Sequence, residues 1–136
     1  MLVAALVLAT CAQEPSPTHE VYVWQRAWTP SLRAAVVDAR RDFAALRVLI
    51  AESDRRGDLH LLDVDFAALA ATGLPVTVVV RLNGTDPDVN VVSLSQGLAA
   101  VFTDWREQGI DVAGVEIDHD CANAKLPAYA AMLRGL

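Results

Sequence analysis

A row of acidic residues near the carboxyl end of the chain is the part of the sequence best suited to chemistry. Residues 114–120 read Gly-Val-Glu-Ile-Asp-His-Asp, so a carboxylate occurs at every second position, at Glu116, Asp118 and Asp120. Alternate side chains of a β-strand lie on the same face, which predicts that these three share one surface. Packing like charges side by side can keep one carboxyl group protonated near neutral pH. Cleavage of a glycosidic bond needs such a proton donor.

Aromatic and charged residues at the ends of the other predicted strands would complete a sugar site. Carboxylates beside aromatic rings are typical of sites in which a ring packs on the face of a pyranose. We therefore predict Asp118, Asp120 and Glu116 as catalytic groups, and as substrate-binding residues Trp24, Arg26, Trp28, Glu52 and Arg81. Two alternatives stay open: the acids pair with Arg26 and Arg81 in a structural ion network, and each aromatic ring belongs to the core.

Other kinds of chemistry are not favoured. A metal site at residues 118–120 is not expected, because strand alternation directs His119 away from the neighbouring aspartates. No serine or cysteine has a nearby histidine that could act as the base of a catalytic triad, which argues against nucleophilic catalysis. No Gly-rich loop follows a strand, which argues against a phosphate-binding loop. We predict no metal and no cofactor. A formal net charge of -6 argues against nucleic-acid binding.

The elements that must position these residues alternate between strands and helices. Apolar, β-branched runs predict strands, and amphipathic spacing predicts helices. The strands are 21–26, 46–52, 76–82 and 112–118, and the helices are 31–43, 66–71, 94–108 and 126–133, with an irregular connection at 59–64. Alternation of this kind predicts an α/β fold with parallel strands. An eightfold barrel takes about 200 residues or more, so these strand-helix repeats make about half of a TIM-like barrel.

The amino-terminal segment has the pattern of an export signal. Residues 2–8 are an uncharged apolar run, too short to span a bilayer as a helix. Residues 8–11, Leu-Ala-Thr-Cys, resemble a bacterial lipobox, which makes Cys11 the candidate lipid anchor. We predict a signal peptide at 1–11, a polar tether at 12–20 and a partial barrel domain at 21–136, exported and either membrane-anchored or periplasmic or extracellular. The alternative is that residues 1–11 form a buried first strand or helix.

Three segments carry a family resemblance. Residues 21–29, 75–81 and 114–122, together with Leu126 and Tyr129, resemble the bacterial family known as domain of unknown function 3142. The resemblance implies an exported, often lipoprotein-like protein built like a glycoside-hydrolase barrel. It also implies a longer protein, of which this chain would be the amino-terminal half.

The acidic row is distantly similar to the fourth-strand motif of the family-18 chitinases, Asp-x-x-Asp-x-Asp-x-Glu. The corresponding positions here are Ala113, Glu116, Asp118 and Asp120. The similarity implies that Asp120 occupies the place of the proton donor. It also implies that Asp118 orients the acetamido group of the substrate.

Three hypotheses about function follow. The first is an exported barrel that acts on a glycan, or descends from enzymes that do, with Asp120 as general acid and Asp118 as its charge-stabilising partner. The second is a non-catalytic surface module that binds a carbohydrate or another small polar ligand, which Ala113 and the Asp at position 120 favour. The third is an inactive truncated fragment. Half a barrel has open sheet edges, which predicts self-association.

Overall fold

The computed structural model describes residues 19–54, 58–83 and 90–136. The predicted signal peptide, Cys11 and most of the predicted tether lie outside these ranges. Within the described part of the chain, no helix has the length and apolar character that crossing a membrane requires.

The described residues form an α/β fold, as predicted. In chain order the elements are β1 Glu20–Val23, α1 Pro30–Asp38, β2 Ala45–Ser53, β3 Leu59–Leu61, α2 Phe66–Ala70, β4 Val76–Leu82, α3 Val91–Glu107, β5 Val112–His119 and α4 Leu126–Arg134. Two short 3-10 segments, Ala39–Arg41 and Asn123–Lys125, follow α1 and precede α4.

Strands β1, β2, β4 and β5 are parallel neighbours in that spatial order. Each of these four strands therefore lies beside the parallel strand that precedes it in the chain, whereas the strand order of a doubly wound sheet reverses at a switch point. The order, with helices linking the strands, is consistent with part of a strand-helix barrel.

Four predicted boundaries are wrong. Helix α1 ends at Asp38, and only a short 3-10 segment follows it, so the helix does not extend to residue 43. The connection at 59–64 is not wholly irregular, because Leu59–Leu61 pairs antiparallel with the end of β2. Strand β1 ends at Val23, so the three residues that follow it lie beyond the strand. Helix α3 begins three residues earlier than expected, since the side chain of Asn90 accepts a hydrogen bond from the backbone N–H of Ser93 and caps it.

Two helix ends have residues that favour those positions. Thr29 caps α1 by accepting a hydrogen bond from the backbone N–H of Leu32, with Pro30 in the first turn. Gly109 follows the end of α3 with φ of 79°, a left-handed conformation that a residue without Cβ adopts at little cost.

The hydrophobic core lies on one face of the sheet, where the helices pack. A single buried cluster joins one set of alternate strand residues, such as Leu46, Val48 and Val78, to Val36 of α1, Leu69 of α2 and three residues of α3, Leu94, Leu98 and Trp105. The intervening strand residues lie on the opposite face and include Arg47, Glu52, Arg81, Glu116 and Asp118. We call this opposite side of the sheet the charged face.

Candidate functional site

One cluster of ion pairs lies at the carboxyl ends of the strands. Arg81 of β4 is the register neighbour of Asp118 of β5, and its Nη1 lies 2.5 Å from Oδ2 of Asp118. Its Nη2 lies 2.8 Å from Oδ2 of Asp120, the first residue after β5. The Asp120 side chain is 84% exposed. One guanidinium group therefore holds two of the predicted catalytic carboxylates side by side.

The same cluster contains a second, bidentate pair. Nε and Nη2 of Arg26 donate to the two carboxylate oxygens of Glu52 at 2.6 and 2.5 Å. These hydrogen bonds lower the pKa of Glu52 from its ordinary value, and the charge of Arg81 adds to the effect. The same pair raises the pKa of Arg26. We call the five residues Arg26, Glu52, Arg81, Asp118 and Asp120 the carboxyl-end cluster.

A separate group of charges lies nearer the amino ends of the strands. Nε of Arg47 donates to Glu20 at 2.5 Å, and its Nη1 donates to Glu116. The hydroxyl of Tyr22 lies 3.0 and 3.1 Å from the two oxygens of Glu116. Burial, and next the hydrogen bond to Glu116, raise the pKa of Tyr22. We call Glu20, Tyr22, Arg47 and Glu116 the amino-end cluster.

The amino-end cluster ties the two outer parallel strands together. It connects β1 to β5 across the charged face, over the row in which Val79 is the register neighbour of Leu49 on one side and of Glu116 on the other. Both of these apolar residues are buried. Glu116 is therefore part of a bridge that holds the sheet, whereas Asp118 and Asp120 lie at the end where parallel α/β folds bind ligands.

Two aromatic rings form a platform on the charged face. Tyr22 and Trp24 stack with ring centroids 5.5 Å apart and an angle of 12° between the planes. Their exposed fractions are 43% and 36%. Trp28, also predicted as a binding residue, is partly buried against the hydrophobic core instead. The structure thus brings Trp24, but not Trp28, to the charged face.

The ion-network alternative describes part of this arrangement. Arg81 does pair with Asp118 and Asp120, but Arg26 pairs with Glu52 rather than with the acidic row. The partner of Glu116 is Arg47, which the sequence reasoning did not select. The sequence feature that could have identified Arg47 is its charge within an otherwise apolar strand, because such a residue needs a partner of opposite charge.

His119 lies on the core side of β5, as the strand alternation predicts. Its Nδ1 is 3.1 Å from the carbonyl oxygen of Leu82, and its ring packs against Tyr129. The hydroxyl of Tyr129 donates to the carbonyl of Ile117, and burial raises the pKa of Tyr129. Among the described residues, no group of three or more His, Cys, Asp or Glu side chains is arranged to hold a metal ion.

The geometry determines what the carboxyl-end cluster can do chemically. Carboxylate oxygens accept hydrogen bonds, and in this cluster they accept them from the guanidinium groups of Arg26 and Arg81. The cluster has three carboxylates and two guanidinium groups, so it carries one excess negative charge. It is suited to a ligand rich in hydroxyl or amine donors.

Comparison with known proteins supports the family resemblance. Residues 72–136 match the family model described as Domain of unknown function (DUF3142). The matched segment begins just after α2, extends through α4 and includes Arg81, Glu116, Asp118 and Asp120. A search of curated proteins and a search of solved structures gave no significant match.

Proposed function

We propose that the protein binds a glycan on the charged face, at the carboxyl ends of its strands. Trp24, supported by Tyr22, packs against a sugar ring, and Asp118 and Asp120 accept hydrogen bonds from hydroxyl groups. The observation that carries this proposal is an exposed, stacked aromatic pair on the same face as carboxylates fixed by an arginine. Export, and attachment to a membrane through a lipid on Cys11, belong to the proposal and rest on the sequence pattern of residues 1–18.

The aromatic platform supports the proposal through its exposure. An aromatic ring buries a large apolar area with few rotatable bonds, so a ligand face that covers it gains affinity at little entropic cost. Pyranose rings have a face of C–H groups that can cover such a ring, and hydroxyl groups at the edge that need acceptors. The rings and the carboxylates of this face meet those two needs.

The proposed ligand lies across the charged face. Trp24 follows β1 and Asp118 lies on β5, with β2 and β4 between them. Parallel strands are about 4.8 Å apart, so the backbones of β1 and β5 are about 14 Å apart along the sheet. Side chains shorten this span, since the Tyr22 hydroxyl of β1 reaches the carboxylate of Glu116 on β5.

Calorimetric titration of the full chain tests the proposal. The probes are tetrasaccharides of N-acetylglucosamine, glucose and xylose. We expect at least one to bind, Trp24→Ala to weaken that binding about tenfold through loss of the ring, and Trp24→Phe to retain most of it. Leu61→Ala, on the exposed strand β3, is the control and should bind normally. Binding that is equally tight in Trp24→Ala would contradict the proposal.

Glycan hydrolysis is a second candidate function, favoured by the placement of Asp120. This exposed carboxylate shares a guanidinium with Asp118 and corresponds to the proton donor of the chitinase-like motif. Release of reducing ends from the same tetrasaccharides tests it. We expect Asp118→Asn and Asp120→Asn to abolish cleavage, and Asp63→Asn, an exposed acid before α2, to leave it intact. Unchanged cleavage in both site variants would exclude these catalytic roles.

A further inference from the structure

We propose that Ser53 and Asn83 are positioning residues that set the orientation of the Arg81 guanidinium, and through it the two carboxylates of the binding site. This inference rests on the proposed function and deepens it. Both residues act through Arg81 rather than through contact with the ligand.

Two hydrogen bonds join the end of β2 to the end of β4. Ser53 is the last residue of β2 and is only 2% exposed, and Asn83 is the first residue after β4. The backbone N–H of Asn83 donates to Oγ of Ser53 at 2.8 Å, and Nδ2 of Asn83 donates to the carbonyl oxygen of Ser53 at 2.6 Å. Backbone and side chain of Asn83 are thus both held by one buried residue.

The contact with Ser53 fixes the orientation of the Asn83 side-chain amide. A carbonyl oxygen can only accept, so the contact with Ser53 requires the NH2 end of the amide on that side. The oxygen end must then face the other way. There Oδ1 of Asn83 accepts a hydrogen bond from Nε of Arg81 at 3.3 Å.

The Asn83 amide in turn orients the guanidinium group of Arg81. Arg81 uses Nε toward Asn83, Nη1 toward Asp118 and Nη2 toward Asp120. A guanidinium is planar, with its N–H groups in a fixed fork, so an acceptor at Nε determines the direction in which the other two nitrogens point. Without Asn83 the guanidinium keeps its two ion pairs, but its Nε–H loses this acceptor and its plane is less restrained.

The direct test is the Nε–H signal of Arg81 in NMR spectra of the full chain. We expect this proton to exchange slowly with water in the unsubstituted protein, and to exchange faster, with a shifted resonance, in Asn83→Ala. Asn90→Ala is the matched control, because it removes a side-chain hydrogen bond at the start of α3 and leaves Asn83 in place. Ser53→Ala removes the acceptor of the Asn83 backbone N–H but keeps the carbonyl that orients the amide, so it should act in the same direction as Asn83→Ala with a smaller effect. Ser53→Thr, which keeps the hydroxyl, should restore the signal.

The second readout separates positioning from stability. With the N-acetylglucosamine tetrasaccharide as probe, Asn83→Ala should bind about tenfold more weakly, the scale of one lost hydrogen bond to a charged group. Asn90→Ala should lower the melting temperature but bind normally. The inference is overturned if the Arg81 signal of Asn83→Ala matches that of Asn90→Ala. If none of the tetrasaccharides binds the unsubstituted chain, the proposed function fails, and the NMR comparison still decides the positioning role.

Discussion

Each acidic residue that the sequence singled out has a guanidinium partner in the structure. Strand alternation was enough to predict that Glu116 and Asp118 share a face, because the side-chain period of a strand is two residues. The ion-network alternative named Arg81 as a partner, whereas Arg47 was missed, since it reaches Glu116 only through the register of β2, β4 and β5. Register between strands depends on distant parts of the chain, and a single sequence does not specify it.

The Arg26 and Glu52 pair predicts a specific dependence of stability on pH. Folding lowers the pKa of Glu52 below its ordinary value of 4.5, so the native state favours the ionised carboxylate. The stabilisation is therefore complete above the unfolded pKa and is lost as the pH falls through the lowered native pKa. Urea unfolding from pH 7 to pH 3 should show Glu52→Gln less stable than the unsubstituted chain at pH 7, with the difference shrinking below about pH 4.5. A difference that stays constant with pH would contradict the role given to this ion pair.

At the scale of elements, composition predicted the four parallel strands and missed the fifth strand. Four of the seven residues of β4 are valine, a pattern typical of a strand covered on both faces. Strand β3 has three residues, Leu-His-Leu, and exists because it pairs with the end of β2. A run that short has no periodicity to detect, so only the tertiary pairing defines it.

The short helix α2 depends on its cap. Asp65 accepts a hydrogen bond from the backbone N–H of Ala68 and forms an ion pair with Arg33 of α1. The capping hydrogen bond from the Ala68 backbone N–H is the main cause that lowers the pKa of Asp65. We expect Asp65→Ala to lower the free energy of unfolding by about 1 kcal/mol, and Asp65→Asn, which keeps a capping oxygen, to lose less. Chemical denaturation measures both, with Asp63→Ala as control. Equal losses of unfolding free energy in the alanine and asparagine variants would show that the capping hydrogen bond does not provide this stability.

At the scale of the whole molecule, the sheet has an unpaired side. Strand β5 pairs with β4, and within the described residues no strand lies on its other side. Val115 of β5 is exposed, as are Leu126 and Leu133 at the two ends of α4. An exposed edge beside apolar side chains is a template for pairing with another chain.

This edge makes self-association a testable expectation. Sedimentation velocity should show the full chain associating as its concentration rises, and Val115→Lys should shift it toward the monomer, because a charged residue opposes pairing along an edge. Val92→Lys, at an exposed position on α3, is the matched control and should associate like the unsubstituted chain. Equal association in the two lysine variants would place the contact elsewhere.

The most direct test of glycan binding on the charged face uses the three tryptophans of the chain. Each gives one indole N–H signal in an NMR spectrum. Trp24 is exposed on the charged face, whereas Trp105 is buried in the core on the other side of the sheet. Titration with the tetrasaccharides of N-acetylglucosamine, glucose and xylose should shift the Trp24 signal in a saturable way and leave that of Trp105 unchanged. A Trp24 signal that none of the three sugars moves would contradict the proposal that this face binds a glycan.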